Sequence, residues 1–289
     1  MWCGVMQFEP DFEELDMTEE TGSTMVKTDS RNVISPFKDQ PEHEVGYFAY
    51  YNNGIFDNGP VPLLLGFHGG GDSAMYLTFV SGWYALAHRH NILYVAIENH
   101  QFVTALEVMQ IIDELKKRYR IDEKRIYAGG FSMGCGKTWD LYQEFPHIFA
   151  GFMPCSALFP LRNNPFSYEL GDKLNMTVSV PMFYSGGEES FLTELPWKDV
   201  TGLERIQYLA EVNKLKKKFD KSFEEKDNWE NPIWSVSGDR TEKFYNEERD
   251  SYLTVNYYDS EDGICRTALA SVSGQNHECR EHSIECAWQ

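Results

Sequence analysis

Basic residues are scarce in this chain. It carries 26 Lys and Arg against 45 Asp and Glu, a formal net charge of −19. Proteins that hold nucleic acid cluster Lys and Arg against phosphate, so this balance argues against a nucleic-acid partner. It also disfavours attraction to an anionic membrane surface. Acidity of this kind serves solubility. Long apolar runs are missing too. The longest, residues 61–67, is far too short to cross a bilayer, and no membrane partner is expected. Residues 1–16 are acidic and lack the apolar core of a secretory signal, which points to a cytoplasmic protein. The six cysteines (Cys3, Cys135, Cys155, Cys265, Cys279 and Cys286) show no disulfide-framework spacing and would be free thiols in a reducing cytosol. Internal repeats and low-complexity segments are absent.

What is present is a globular composition. Apolar residues make up 42% of the 289 residues and aromatics 15%, enough for a large core. Residues 1–44 are polar and acidic without a clear period, and a loosely structured lead-in is expected there. Residues 45–289 form one domain in this reading. Strands are expected at 45–50, 62–67, 92–97, 125–128, 149–153 and 178–184. Helices are expected around Trp83 and Leu86, over 103–119, and after Ser132. Run 62–67 is continuously apolar, as in a strand buried on both faces of a parallel sheet. The alternation indicates an α/β protein with a doubly wound, mostly parallel sheet and helices on both faces. In such sheets the site lies at the carboxyl ends of the strands. Further on, residues 203–218 have the pattern of a charged surface helix, and 219–250 are polar with Trp229 and Trp234 embedded. A β-hairpin is expected at about 252–272, around Ser260-Glu261-Asp262-Gly263.

The chemistry centres on Gly130-Phe131-Ser132-Met133-Gly134, a G-x-S-x-G motif between an apolar strand and a helical pattern. That is the context of a nucleophile elbow, whose small neighbours leave room for a sharp turn. A rival motif overlaps it. Gly136-Lys137-Thr138 resembles the end of a phosphate-binding loop, but the loop's first Gly falls on Phe131.

A Ser hydroxyl needs a base. In the order Ser, acid, His, the base comes late in the chain, and loop position places His277 ahead of His282. The acid should follow the strand at 180–185, where Glu188 and Glu189 stand, with Asp239 and Asp262 in reserve. His68-Gly69-Gly70-Gly71 would add a backbone N–H from Gly70 to that of Met133 to hold an oxyanion. His277, Cys279, His282 and Cys286 form a rival metal-binding cluster, disfavoured because the first pair alternates as on extended chain. Cys135 is expected to be a small packing residue behind the elbow.

The segments LLLGFHGGGDSAMY, YRIDEKRIYAGGFSMG and SGQNHE with CAW resemble the family of polyhydroxybutyrate depolymerases and family 1 carbohydrate esterases, which includes feruloyl and acetylxylan esterases. The resemblance extends from about Tyr47 to the C-terminus. It implies an α/β-hydrolase fold, no cofactor, and hydrolysis of carboxylic esters through an acyl-enzyme. It makes Ser132 the nucleophile and His277 the base. The family's acid is usually an Asp in a turn that here reads Ser185-Gly186-Gly187-Glu188-Glu189, and strict spacing selects Glu189. The expected substrate is a small-molecule or saccharide ester, short-chain, aryl or sugar-linked, with Trp83, Phe131 and Trp197 lining the cleft. The alternatives are a non-catalytic binding protein on the same fold with a degraded acid, and a nucleotide-binding protein using Gly136-Lys137-Thr138.

Overall fold

The computed structural model describes residues 9–157 and 175–289. Cys3 and the first residues of the lead-in lie outside them. Among the described residues ten strands form one sheet: β1 (Met17–Lys27), β2 (Glu42–Asn52), β3 (Val61–Phe67), β4 (Leu93–Ile97), β5 (Ile121–Phe131), β6 (Gly151–Cys155), β7 (Met182–Gly187), β8 (Arg240–Asn246), β9 (Ser251–Asp259) and β10 (Cys265–Val272). Their spatial order is β1-β2-β4-β3-β5-β6-β7-β10-β9-β8. From β4 across to β10 all neighbours are parallel. The strands at either flank are antiparallel. The expected hairpin is β9 and β10, turned at Ser260 to Gly263.

Six α-helices accompany the sheet among these residues: α1 (Ala74–Val80), α2 (Trp83–His90), α3 (Ala105–Arg118), α4 (Met133–Glu144), α5 (Val200–Val212) and α6 (Glu281–Trp288). Strand β3 shows how the layers divide. Successive side chains of a strand point to opposite faces. Leu63, Leu65 and Phe67 join the core under α3, α4 and α5. Leu64 joins the core of Ala74, Leu77, Trp83, Leu86 and Ile284 under α1, α2 and α6. Both faces are therefore covered, as a run of uninterrupted apolar residues requires. No helix among the described residues is long and apolar enough to cross a membrane.

Two expectations need correction. Part of the lead-in is ordered, because β1 pairs along its whole length with β2, from Met17 opposite Asn52 to Lys27 opposite Glu42. Its sequence, MTEETGSTMVK, shows no alternation because an edge strand keeps much of its surface in water. The charged helix expected at 203–218 begins earlier, at Val200, where the Asp199 side chain caps Thr201 N–H at 2.9 Å. It ends at Val212, before the lysine run, and its inner face of Leu203, Ile206 and Leu209 is core.

Helix α3 ties the ordered lead-in to the sheet. Glu107 is fully buried. Its carboxylate accepts from Thr104 N–H at 2.8 Å, closing a capping box, and from Asp29 N–H at 2.8 Å and the Asn32 amide at 3.0 Å. Glu107→Ala leaves these donors buried without an acceptor. At about 1–3 kcal/mol each, the loss predicted is roughly 3 kcal/mol or more of unfolding free energy, read by urea denaturation. A change below ~1 kcal/mol would contradict this account of the segment.

Candidate active site

Strand β5 runs into Ser132, which has φ 53° and ψ −111°. A non-glycine residue holds such a conformation only where its surroundings enforce it. Ser132 N–H donates to Cys155 O at 3.0 Å, pinning the turn to the end of β6. The two glycines have a direct steric reason. A Cβ on Gly130 would overlap the carbonyl of Gly134, and a Cβ on Gly134 would overlap the carbonyl of Phe67. The first turn of α4 is thus pressed against the carboxyl end of β3. Met133 opens α4, where backbone N–H groups have no intrahelical acceptor. Gly70 lies against it, with room for a Cβ 3.8 Å from Met133 Sδ. The two residues proposed for the oxyanion are neighbours.

His277 stands in the loop after β10. Its Nε2 is 2.8 Å from Ser132 Oγ and its Nδ1 is 2.5 Å from Glu194 Oε1. A carboxylate only accepts, so Nδ1 carries the ring proton and Nε2 faces the hydroxyl as acceptor. Glu194 is fully buried, and its carboxylate also accepts from Gly187 N–H at 2.7 Å and Ser190 Oγ–H at 2.5 Å. Every lone pair used on this carboxylate has a donor, which is what makes a buried charge tolerable.

Glu188 and Glu189, the carboxylates expected beside His277, do not meet it. Glu188 Oε1 accepts from Ser271 Oγ at 2.8 Å, and Glu189 is exposed. Their contribution is through the backbone: Glu188 N–H donates to Val272 O and Glu189 N–H to Gln275 O, both at 3.0 Å, so they extend the β7–β10 pairing and hold the His277 loop. The chain then loops out and returns with Glu194. The reserves are elsewhere. Asp239 accepts from Asp259 N–H at 2.8 Å, and Asp262 pairs with Arg266 at 2.7 Å. Glu194 had no spacing to mark it in the sequence, since the excursion between strand end and acid is set by loop packing.

Other candidates fall into place. Phe131 packs on His277 with ring centroids 4.9 Å apart, and the exposed Phe191 approaches the same imidazole at 5.9 Å. Trp83 is not in the cleft; it is fully buried, stacked on Tyr94 at 5.4 Å. Trp197 is partly exposed beside Lys198. Cys135 is fully buried, 2.8 Å from Ala157 O, and burial pushes its thiol pKa up. Lys137 is 2% exposed and paired with Asp140 at 3.1 Å, so its ammonium points into the protein and not at a phosphate site. The four residues of the rival metal cluster diverge: Cys279 sits in the core, His282 stacks edge-on to Phe244, and Cys286 lies 3.9 Å from the Tyr257 hydroxyl.

Comparison with known proteins agrees with this architecture. No family model matches the chain. Over 105 residues, 33% of the chain, it is 33% identical to a bifunctional acetylxylan esterase/xylanase of Neocallimastix patriciarum, of which it covers 16%. Over 116 residues, again 33% of the chain, it is 29% identical to poly(3-hydroxyalkanoate) depolymerase C of Paucimonas lemoignei, of which it covers 28%. The chain therefore spans less than a third of the length of these curated relatives. An acetyl xylan esterase structure from Aspergillus awamori superposes with a TM-score of 0.52 at 12% identity, covering 89% of this chain and 94% of that one. The chain has the α/β-hydrolase fold. In sequence it is similar to esterases of the acetylxylan esterase and polyhydroxyalkanoate depolymerase group, the likeness its motifs suggest.

Two measurements test this geometry. Gly134→Ala must push α4 off β3, and overpacking of this kind costs about 1–3 kcal/mol or more of unfolding free energy; an unchanged urea midpoint would contradict the contact. The second concerns His100, fully buried after β4, where burial holds its pKa well below the usual histidine value. The unfolded chain takes up a proton near pH ~6.5 that the folded chain refuses. His100 therefore costs nothing above that pH, and stability is lost as pH falls below it, by at most about 1.4 kcal/mol per pH unit. Unfolding free energies of wild type and His100→Gln, measured from pH ~7 to ~5, should diverge in that sense; parallel curves would contradict the neutral His100.

Proposed function

We propose that this chain is a serine esterase that hydrolyses carboxylic esters through an acyl-enzyme. The observation that carries the reading is the chain of contacts from Ser132 Oγ through His277 to buried Glu194. Ser132 Oγ attacks the ester carbonyl carbon while its proton passes to His277 Nε2. Glu194 holds the ring and stabilises the imidazolium. The oxyanion forms beside Gly70 and the start of α4, where the N–H groups of Gly70 and Met133 receive it. As the C–O bond to the alcohol breaks, Nε2 returns the proton to the leaving oxygen. Water then attacks the acyl-Ser132 carbonyl, giving a proton to Nε2; as the C–Oγ bond breaks, Nε2 passes that proton to Ser132 Oγ, and the acid leaves with Ser132 and His277 restored.

The substrate we infer is a short-chain, aryl or sugar-linked ester. Phe131 and the exposed Phe191 lie next to the imidazole, and aromatic surface there would suit a ring of the substrate. The named activities of the relatives point the same way. Neither alternative gains support. The binding-only reading rested on a degraded acid, and the buried Glu194 carboxylate on His277 Nδ1 speaks against it. The nucleotide reading needs a Lys that here is buried in an ion pair.

With p-nitrophenyl acetate as substrate, Ser132→Ala is expected to lower kcat/KM by about 10^4-fold or more, and Glu194→Gln by about 10^3- to 10^4-fold. Glu189→Gln should stay within about threefold of wild type. An equal loss in the Glu189 and Glu194 variants would contradict the assignment of the acid. A folded wild type inert towards an ester panel and towards a fluorophosphonate would overturn the esterase reading.

A further inference from the structure

The loop that carries Gly70 is held at both ends by side chains outside the Ser–His–Glu chain. At its start, His68 O accepts from His100 Nε2–H at 2.7 Å. The next carbonyl, Gly69 O, accepts from His68 Nδ1–H at 2.8 Å. At its end, Ala74 N–H donates to Glu98 Oε1 at 3.0 Å, and Glu98 Oε2 lies 3.8 Å from His68 Nε2. A carbonyl can only accept, so His100 carries its proton on Nε2. Its Nδ1 is buried without a hydrogen-bond partner among the described residues. An unpaired buried nitrogen is a cost that the fold tolerates at this histidine. The backbone before it is also forced: Asn99 has φ 51°, which aims the short turn His100–Phe102 under the loop. The His100 ring sits edge-on to both Phe67, at 5.6 Å, and His68, at 4.6 Å. The carbonyl it holds is also one of the atoms a Cβ on Gly134 would strike, so it lies where β3 meets the elbow helix.

We infer that His100 is a positioning residue for the oxyanion site: by holding His68 O against the start of α4, it fixes the Gly70 N–H opposite that of Met133. The inference rests on the esterase reading above. An oxyanion donor acts on the transition state and hardly on the bound ester, so its displacement lowers kcat and leaves KM. Small misplacements of such groups cost up to about 100-fold.

The test compares His100→Leu, which fills the space without a donor, with His100→Gln, whose amide nitrogen reaches the same carbonyl. Fluorophosphonate labelling of the wild type comes first. A folded but unlabelled wild type overturns the esterase reading and takes this inference with it. With a reactive wild type, His100→Leu should lower kcat for p-nitrophenyl acetate about 10- to 100-fold with KM within about threefold, and slow fluorophosphonate labelling in parallel. His100→Gln should recover most of that loss. If His100→Leu does not fold, His100→Asn, an amide too short to reach His68 O, takes its place with the same expectation. Wild-type kcat in the donor-free variant, a loss confined to KM, or equal losses in the Gln and donor-free variants would overturn the inference while leaving the esterase reading in place.

Discussion

The tightest backbone contact at a glycine among the described residues is between the first turn of α4 and the end of β3, where Gly134 leaves no space for even a methyl group against Phe67 O. It forces a turn so tight that Ser132 takes a left-handed φ. In exchange it sets three things at one point. The Ser132 hydroxyl stands off the sheet, the N-terminus of α4 faces the same space, and the Gly70 loop lies beside it. Electrostatic stabilisation by fixed donors is effective only when the donors need not move. Here the sheet, whose β3 and β5 are paired from Val61 to Phe67, supplies that rigidity.

The second half of the site comes from the far side of the sheet, at the carboxyl ends of β7 and β10. Glu194 is the costly element, a carboxylate removed from water. Three donors offset its desolvation, one of them the His277 ring itself. The same geometry fixes the tautomer of His277, so Nε2 faces the Ser132 hydroxyl as an acceptor. Burial and function are coupled here: a carboxylate left in water, like Glu189, would orient the imidazole poorly and be screened.

Much of this was legible in the sequence. The buried strands announced themselves by continuous apolar runs such as Leu63 to Leu65. The elbow was visible because backbone contact leaves no room for a side chain at its glycines. The place of His277 beside Ser132 followed from chain order. The carboxylate on its other ring nitrogen did not. Glu188 and Glu189 stand at the strand end where a carboxylate is expected, yet continued backbone pairing with β10 points them to other work, and the chain makes an excursion before presenting Glu194. No periodicity encodes such a loop. Trp83 misled for a related reason: an aromatic near a Gly-rich turn can fill the core under it as readily as line a cleft. Edge strand β1 was missed because its partner, and not its own pattern, makes it a strand.

Esterase chemistry at this site turns on covalent acylation of Ser132. It can be caught by mixing the protein with p-nitrophenyl acetate, quenching with acid during the first turnovers, and mapping the peptides by mass spectrometry. One acetyl group per chain is expected, on the peptide carrying Ser132, disappearing when the quench is delayed until substrate is exhausted. Ester hydrolysis with no acetyl on Ser132, or with the acetyl on another residue, would contradict it.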